Sequence, residues 1–216
     1  MLPELGDLTK PLLFKGEFKN LIKFGWSDCE TAINQSIYLK NIETINFDGR
    51  KQVLDITTKW WHGNCFNIFQ IANHIDVGYS FVLTHMGGYN ESINHLCSFI
   101  EEKYSTCSDV HIYGGLFSNS KSFGPHSDKP HNLIIQLDGT CRWIVYSEIF
   151  KNTGPFDPDT NLTPIIDCIL EPGDGIFIPP FQVHSCIPLS KRLSASVAFH
   201  PNHMDQLKRG WIKIGD

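Results

Sequence analysis

The second half of the chain is a succession of short β-type runs, and this pattern restricts the folds that the chain can adopt. The runs are rich in aliphatic and aromatic residues, and turns built from Gly, Pro and Asp separate them. They span residues 110–117, 132–137, 141–146, 164–170, 175–178, 182–187 and 191–199. Strands that recur at such spacing predict a β-sandwich or a closed barrel.

Helical patterns are concentrated ahead of these strands. Asn90 is followed by apolar residues spaced three and four apart, which predicts a helix with this asparagine as its N-cap. Ser27, with Glu30 three residues later, predicts a second helix that begins with a capping box. A strand is predicted at 79–84, and the aromatic stretch 60–66 is expected to pack in the core or to line a substrate site.

An Asp48-Gly49 turn lies between two further β-type runs. The flanking residues, Ile42–Phe47 and Gln52–Ile56, predict a β-hairpin. With the helix start nearby, this part of the chain has a mixed α+β character. We therefore expect an N-terminal extension, residues 1–75, packed on a β domain that comprises residues 76–216.

Composition and charge narrow the functional classes. The chain has 216 residues, of which 41% are hydrophobic, so it can bury a sizeable core. The net charge of −5 shows no excess of basic residues of the kind that binds nucleic acid, so nucleic acid is not an expected partner. Seven cysteines without a Cys-x-x-Cys pair predict reduced thiols and no zinc knuckle. The sequence has neither a signal-peptide pattern nor an apolar run of about 18 residues, so we expect a soluble, cytoplasmic protein without membrane association.

Two stretches carry residues with metal-binding chemistry. His126 and Asp128 stand two residues apart, directly before a predicted strand pair. Residues i and i+2 of an extended chain share a face, so both side chains can point to one side. His184 lies on a distant predicted strand that follows Pro179-Pro180. In a closed barrel, that strand can bring the third side chain opposite the first two.

Two imidazoles and one carboxylate form the ligand set of non-haem Fe(II) oxygenases, and this set leaves positions open on the metal. The set lacks the thiolates that would favour zinc or an iron–sulfur cluster. The sequence therefore predicts an iron site made of His126, Asp128 and His184, with open positions for a cosubstrate and O₂.

Several motifs surround these residues: Ile112-Tyr113, Phe123 to Asp128, Gln136 to Gly139, Trp143, Tyr146 and Leu170 to His184. Together, within about residues 79–200, they resemble the cupin-type JmjC hydroxylases, which include the ribosomal oxygenases and the asparagine hydroxylase that acts on hypoxia-inducible factor. The resemblance implies a mostly β fold with flanking helices and a double-stranded β-helix core of the cupin or jelly-roll type. It also implies Fe(II), 2-oxoglutarate and O₂, and hydroxylation of a C–H bond in a protein side chain or a small molecule as 2-oxoglutarate becomes succinate.

One position departs from this family. Its members usually bind the far carboxylate of 2-oxoglutarate with a lysine two residues after the Gly of the Gln-Leu-x-Gly turn, and Cys141 stands there. A thiol cannot balance a carboxylate, so another cation is required. Arg192 is the predicted substitute, because many other 2-oxoglutarate oxygenases carry Arg-x-Ser at a similar distance after the last histidine, and Ser194 would assist it. Lys191 is an alternative cation.

Further residues are expected to contribute around this site. Asn132 and Tyr113 are predicted to contact the cosubstrate, or else to be a polar strand residue and a core tyrosine. His131 is expected behind the ligands or at the strand edge. Asp174 is expected to cap the Pro172-Gly173 turn.

Two other functional classes stay open at this point. The missing family lysine is compatible with a cupin metalloenzyme that uses a different cosubstrate, as a dioxygenase or an isomerase. A non-catalytic, metal-free cupin that binds a ligand is the third possibility, although three intact ligand residues argue against it. No motif identifies the substrate, and the oligomeric state is unknown.

Overall fold

Two facing antiparallel β-sheets form the framework of the chain. The computed structural model describes residues 3–59, 63–151 and 161–200, and these contain three helices and twelve strands. The helices are α1 (Trp26–Leu39), α2 (Ile68–Asp76) and α3 (Glu91–Tyr104). The strands are β1 (Leu12–Phe14), β2 (Ile42–Ile45), β3 (Ile56–Lys59), β4 (Gly63–Phe66), β5 (Ser80–Leu83), β6 (Ser108–Gly115), β7 (His131–Asp138), β8 (Cys141–Ile149), β9 (Pro164–Leu170), β10 (Gly175–Ile178), β11 (Gln182–Pro188) and β12 (Arg192–Phe199).

The strand order is that of a jelly roll. The larger sheet has seven strands in the order β1-β10-β7-β12-β6-β5-β2, and the smaller sheet has three in the order β11-β8-β9. Most neighbouring strands are distant in sequence, which distinguishes this arrangement from a simple meander. Strands β3 and β4 form a separate two-stranded hairpin. The predicted fold class, a mostly β chain with flanking helices and a double-stranded β-helix core, is confirmed.

A hydrophobic core lies on each face of the larger sheet. One core fills the space between the two sheets and includes Ile134 and Trp143. The other packs the outer face of the larger sheet against the helices and includes Ile93 and Ile112. Side chains alternate along a strand, so one side of β6 and β12 enters the helix-side core while the other side points between the sheets. The candidate site lies on that inner side.

The elements predicted at and beyond residue 79 all form. Every predicted strand from 79–84 to 191–199 is present, with ends displaced by at most three residues. Helix α3 begins directly after Asn90, whose Oδ1 accepts a hydrogen bond from the backbone N–H of Ile93 at 3.0 Å. This helix end therefore has the predicted N-cap.

Two predictions in the N-terminal part were only partly correct. Helix α1 begins at Trp26 and not after Ser27, because the Asp28 carboxylate accepts a hydrogen bond from the backbone N–H of Gly25 at 2.8 Å. The Asp48-Gly49 turn forms, and backbone hydrogen bonds join Asn46 to Arg50 and Gln52 to Thr44, but the pairing of the two runs extends no further than the bridge Ile45↔Lys51. Strand β2 instead pairs with β5, which offers it a partner of equal length in the larger sheet.

Helix α2 was not predicted. It begins after Asn67, whose side chain accepts hydrogen bonds from the backbone N–H groups of Phe69 and Gln70. The asparagine cap and the buried Ile71 were visible in the sequence, but the adjoining aromatic stretch obscured the short helical period. Residues 60–62 of that stretch lie outside the described residues.

Residues 1–75, for which the sequence predicts an N-terminal extension, contribute both edge strands of the larger sheet. Strand β1 pairs with β10 at one edge, and β2 lies at the other. Next to β1, the Asp174 carboxylate accepts hydrogen bonds from Lys15 Nζ at 2.7 Å and from the backbone N–H of Glu171 at 2.9 Å. Asp174 thus caps the turn before β10, as expected, and also holds the extension. In the described part of the chain, no helix combines the length and hydropathy needed to cross a membrane.

Candidate metal centre

The two predicted histidine ligands are held side by side by backbone hydrogen bonds. His126 and His184 form an isolated antiparallel bridge, in which each backbone N–H donates to the carbonyl of the other at 3.0 and 2.9 Å. Their ring centroids lie 4.4 Å apart. His184 belongs to β11 in the smaller sheet, so this bridge fastens the segment before β7 onto that sheet. The two imidazoles therefore converge although they are far apart in sequence.

Asp128 completes the cluster. Its Oδ2 lies 3.9 Å from His126 Nε2 and 3.6 Å from His184 Nε2. One donor atom from each of the three residues lies within 4.8 Å of the others. The backbone N–H of Phe181 donates to the carbonyl of Asp128 at 2.6 Å, which fixes this segment near the start of β11.

Both imidazoles present the Nε2 atom to the centre of the cluster. His126 Nδ1 lies 2.8 Å from the carbonyl of Gly124, and His184 Nδ1 lies 2.9 Å from the carbonyl of Gln182. A carbonyl oxygen only accepts, so each Nδ1 carries a proton, and in the neutral imidazole Nε2 has the lone pair that a metal requires. Burial, followed by the nearby His126, lowers the pKa of His184, so its ring is neutral at neutral pH.

Asn132 fixes the orientation of the carboxylate. Its Nδ2 donates to Asp128 Oδ2 at 3.0 Å, and its Oδ1 accepts a hydrogen bond from Ser196 Oγ at 3.3 Å. The sequence had predicted Asn132 near the cosubstrate, and the structure places it one step behind a metal ligand. Partners of this kind orient ligands and tune metal affinity.

These features fit a mononuclear metal. Two imidazole nitrogens and one carboxylate oxygen converge, both Nδ1 atoms are hydrogen-bonded to backbone carbonyls, and no thiol belongs to the cluster. Such a donor set suits Fe(II) and leaves coordination positions open to other ligands.

A cavity opens next to the cluster, between the two sheets. It is lined by the three candidate ligands and by Tyr113, Ser122, Phe123, Ile134, Trp143, Cys186, Arg192, Ser194 and Ser196. The polar residues of β12 therefore face this cavity and not the solvent. Arg192, Ser194 and Ser196 are accordingly all buried.

Arg192 is the main charged group in the lining away from the cluster. It is 1% exposed, and its Nε and Nη2 atoms have no hydrogen-bond partner among the described residues. Cys141 is fully buried near it. A hydrogen bond from Cys186 and the positive charge of Arg192 lower the pKa of the Cys141 thiol, against the effect of burial. The position of the family lysine thus carries no cation, and a buried arginine lies close by.

The remaining predicted residues have different surroundings. Ser194 Oγ donates to Gln136 Oε1 at 2.8 Å, so its proton is already engaged. Burial raises the pKa of Tyr113, which keeps its phenol protonated. His131 lies on the opposite side of β7, stacked between Phe177 and Phe199 with ring centroids 5.6 and 5.2 Å away. His131 is therefore a half-buried residue that packs against Phe177 and Phe199, and it does not line the cavity.

Trp143 is a lining residue to which sequence reasoning gave no role. Its indole stacks on the His184 ring, with centroids 6.1 Å apart and planes at 27°. The signal was present in the sequence, because Trp143 stands two residues after Cys141 on the same side of β8.

The fold and the ligand cluster together define a class of protein, the double-stranded β-helix proteins with a two-histidine, one-carboxylate site. The profile of the JmjC domain matches residues 82–207, more than half of the chain, and the chain therefore belongs to the JmjC domain family.

Curated relatives carry the name bifunctional lysine-specific demethylase and histidyl-hydroxylase NO66. The protein from Drosophila willistoni is 24% identical over 188 residues, which cover 83% of this chain and 24% of the relative. The protein from Drosophila mojavensis is 26% identical over 188 residues, which cover 83% of this chain and 20% of the relative. The chain thus spans about a quarter or less of the length of these relatives.

Similar solved structures include YcfD, a ribosomal oxygenase from Escherichia coli. Its complex with cobalt and 2-oxoglutarate has a TM-score of 0.64 at 24% identity, and the match covers 88% of this chain and 48% of that one. Its complex with cobalt and succinic acid has a TM-score of 0.63 at 25% identity, with the same coverage. The chain therefore corresponds to about half of that protein.

Proposed function

We propose that the chain is an Fe(II)- and 2-oxoglutarate-dependent oxygenase that hydroxylates a C–H bond. The observation that carries this proposal is the cluster of His126, Asp128 and His184, in which both Nε2 atoms and one carboxylate oxygen converge beside an open cavity. Membership of the JmjC domain family supports the same activity. YcfD, which has this fold, has been solved with cobalt and 2-oxoglutarate.

In this proposal His126, Asp128 and His184 hold the iron. When bound, Fe(II) and 2-oxoglutarate supply the oxidant, because O₂ converts the keto acid to succinate and CO₂ while one oxygen atom enters the substrate. The protein orients the three ligands through the carbonyls of Gly124 and Gln182 and through Asn132. These contacts hold the ligands before any metal binds, which reduces the ordering cost of binding.

Arg192 binds the far carboxylate of 2-oxoglutarate in this proposal. Its unpartnered Nε and Nη2 form the edge of the guanidinium that can hold both oxygens of a carboxylate. A buried cation without an acceptor is costly, and an incoming carboxylate removes that cost. Arg192 therefore replaces the family lysine that is absent at Cys141. Tyr113, which stays protonated, is positioned to donate a further hydrogen bond in the same cavity.

The proposed substrate is a protein side chain. Relatives named histidyl-hydroxylase and ribosomal oxygenase support this class over a free small molecule. A screen of peptides would identify the type of residue that is hydroxylated and the protein that carries it. A peptide substrate should raise succinate release and gain the mass of one oxygen atom, and a small-molecule substrate would instead leave all peptides unmodified.

A spectroscopic experiment tests the activity. Anaerobic addition of 2-oxoglutarate to the Fe(II)-loaded protein should produce the weak visible metal-to-ligand charge-transfer band of the chelate. The band should be absent in Arg192→Ala at the same 2-oxoglutarate concentration, and His126→Ala should lose iron. A native protein that binds Fe(II) but shows no band would instead support a cupin metalloenzyme with another cosubstrate.

A further inference from the structure

Unsatisfied buried donors are concentrated in the cavity. Among residues 3–59, 63–151 and 161–200, five buried side-chain nitrogen or oxygen atoms lack a hydrogen-bond partner. Three of them belong to residues that line the cavity, namely Arg192 Nε, Arg192 Nη2 and Trp143 Nε1. Each unsatisfied buried group costs about 1–3 kcal/mol, so a cluster of three donors indicates a ligand that supplies acceptors.

Trp143 lies between the metal cluster and the arginine end of the cavity. Along β8 it is two residues from Cys141, and across the sheet it pairs with Cys186 of β11. Its ring stacks on the ligand His184. The indole is 7% exposed, so its N–H is removed from water as well as from protein acceptors.

Packing alone does not explain a tryptophan here. The stack on His184 and the contacts with the inner core need an aromatic ring, which phenylalanine also provides. Buried tryptophans normally pair their N–H with an acceptor. The feature that distinguishes Trp143 from a phenylalanine is therefore a donor that the protein itself leaves unused.

We propose that Trp143 donates its indole N–H to an oxygen of bound 2-oxoglutarate. This inference rests on the proposed function and adds a third donor to the two of the Arg192 edge. Trp143 would then help to select the cosubstrate, since a molecule without an acceptor at that position would leave the N–H unpaired. A site built to hydrogen-bond a ligand rejects analogues that lack the matching group.

Trp143→Phe provides the first test, because it keeps an aromatic ring beside His184 and removes the N–H. Zn²⁺ replaces Fe(II) in this experiment to avoid oxidation, and calorimetry measures 2-oxoglutarate binding. We expect 2-oxoglutarate to bind about tenfold more weakly, with Zn²⁺ affinity changed less than about twofold. Trp26→Phe is the matched control, since it removes an indole that donates to Asp138 Oδ2 at 2.7 Å outside the cavity. The control should retain native 2-oxoglutarate affinity.

Nuclear magnetic resonance provides a second test that does not require the variant to fold. The Trp143 indole N–H signal of the Zn²⁺-loaded native protein should move downfield and exchange more slowly when 2-oxoglutarate is added. The signal is assigned by replacing the other four tryptophans one at a time. An unmoved Trp143 signal, or an unchanged 2-oxoglutarate affinity in a folded Trp143→Phe variant, overturns the inference. If the native protein binds no 2-oxoglutarate, the proposed function itself fails.

Discussion

The two ends of the cavity differ in how completely the protein satisfies its own polar groups. At the metal end, the Nδ1 atoms of His126 and His184 and the Asp128 carboxylate all have protein partners. At the other end, Arg192 and Trp143 leave three buried donors without partners in the described residues. The protein therefore orders the metal end by itself, whereas in the proposed function a bound ligand would supply the missing acceptors at the arginine end.

This difference has energetic and functional consequences. Preordered ligands cost little to organise when a metal binds, so mutations there act on metal affinity. A buried guanidinium without an acceptor destabilises the protein without cosubstrate, and that energy becomes available when a carboxylate arrives. Part of the binding free energy at the arginine end would therefore come from removing this destabilisation of the ligand-free protein. Substitutions at the two ends should separate metal affinity from cosubstrate affinity.

The largest effect is expected from Asp128→Ala. The substitution removes the carboxylate of the triad and should weaken Co²⁺ binding by more than about 100-fold, measured by competition with a chelator. Asp167→Ala is the control, because the two carboxylate side chains are similarly exposed, at 41% and 42%, and Asp167 instead pairs with Arg142. Equal Co²⁺ affinity in the Asp128→Ala and Asp167→Ala proteins would remove Asp128 from the metal site.

Arg192→Met should have the next largest effect. It should weaken 2-oxoglutarate binding and leave metal affinity unchanged. Loss of two charge-assisted hydrogen bonds should weaken 2-oxoglutarate binding to the Zn²⁺-loaded protein by about 100-fold. The ligand-free protein should gain thermal stability, because a hydrophobic side chain replaces an unpaired buried charge. Calorimetry measures the first change and thermal denaturation the second.

Arg142→Met is the matched control for this substitution. Arg142 stands next to Cys141, but it points to the outer side of β8 and pairs with Asp167 at 2.6 Å. The control should leave 2-oxoglutarate affinity unchanged and should not stabilise the protein. If both arginine variants bind 2-oxoglutarate as the native protein does, the carboxylate anchor lies elsewhere.

The sequence predicted the metal end better than the arginine end for a physical reason. His126 and Asp128 share a strand face by simple alternation, and a jelly roll requires distant strands to meet, so His184 could be placed. Arg192 was predicted from the Arg-x-Ser pattern of other 2-oxoglutarate oxygenases, and it does line the cavity. Its unpaired state was not predictable, because the missing partners depend on which side chains from the opposite sheet approach it.

The roles of Asn132 and Ser194 illustrate the same limit. The family resemblance predicted Asn132 near the cosubstrate and the Arg-x-Ser pattern predicted Ser194 beside Arg192. In the structure Asn132 contacts Asp128 and Ser194 lines the cavity. Their hydrogen-bond partners, Asp128 and Gln136, depend on side-chain rotamers and on cross-strand register, which a single sequence does not specify. In the N-terminal part, α2 was missed although its Asn67 cap was visible in the sequence. The pairing of β2 with β5 escaped prediction because tertiary contacts, more than local propensity, determine it.

Asn132→Ala should reduce metal affinity less than Asp128→Ala does. Without the hydrogen bond from Asn132, the Asp128 carboxylate can rotate away from the imidazoles. Co²⁺ affinity should fall by about tenfold, the lower range for partners that orient metal ligands. Ser196→Ala, one hydrogen bond further from the metal, should change Co²⁺ affinity less than Asn132→Ala does. The reverse order would show that Asn132 does not transmit its effect through Asp128.

Ser194→Ala should have the smallest effect on 2-oxoglutarate affinity, and it tests whether Ser194 contributes to binding beside Arg192. Because the Ser194 hydroxyl donates to Gln136, it is not free to donate to a carboxylate. We therefore expect 2-oxoglutarate affinity to change less than about threefold, while the free energy of unfolding falls by about 1 kcal/mol through the lost buried hydrogen bond. Calorimetry and urea denaturation measure the two quantities. A tenfold loss of 2-oxoglutarate affinity would mean that the Ser194 hydroxyl leaves Gln136 when the cosubstrate binds. The side chains at the arginine end would then rearrange on binding and would not be preformed.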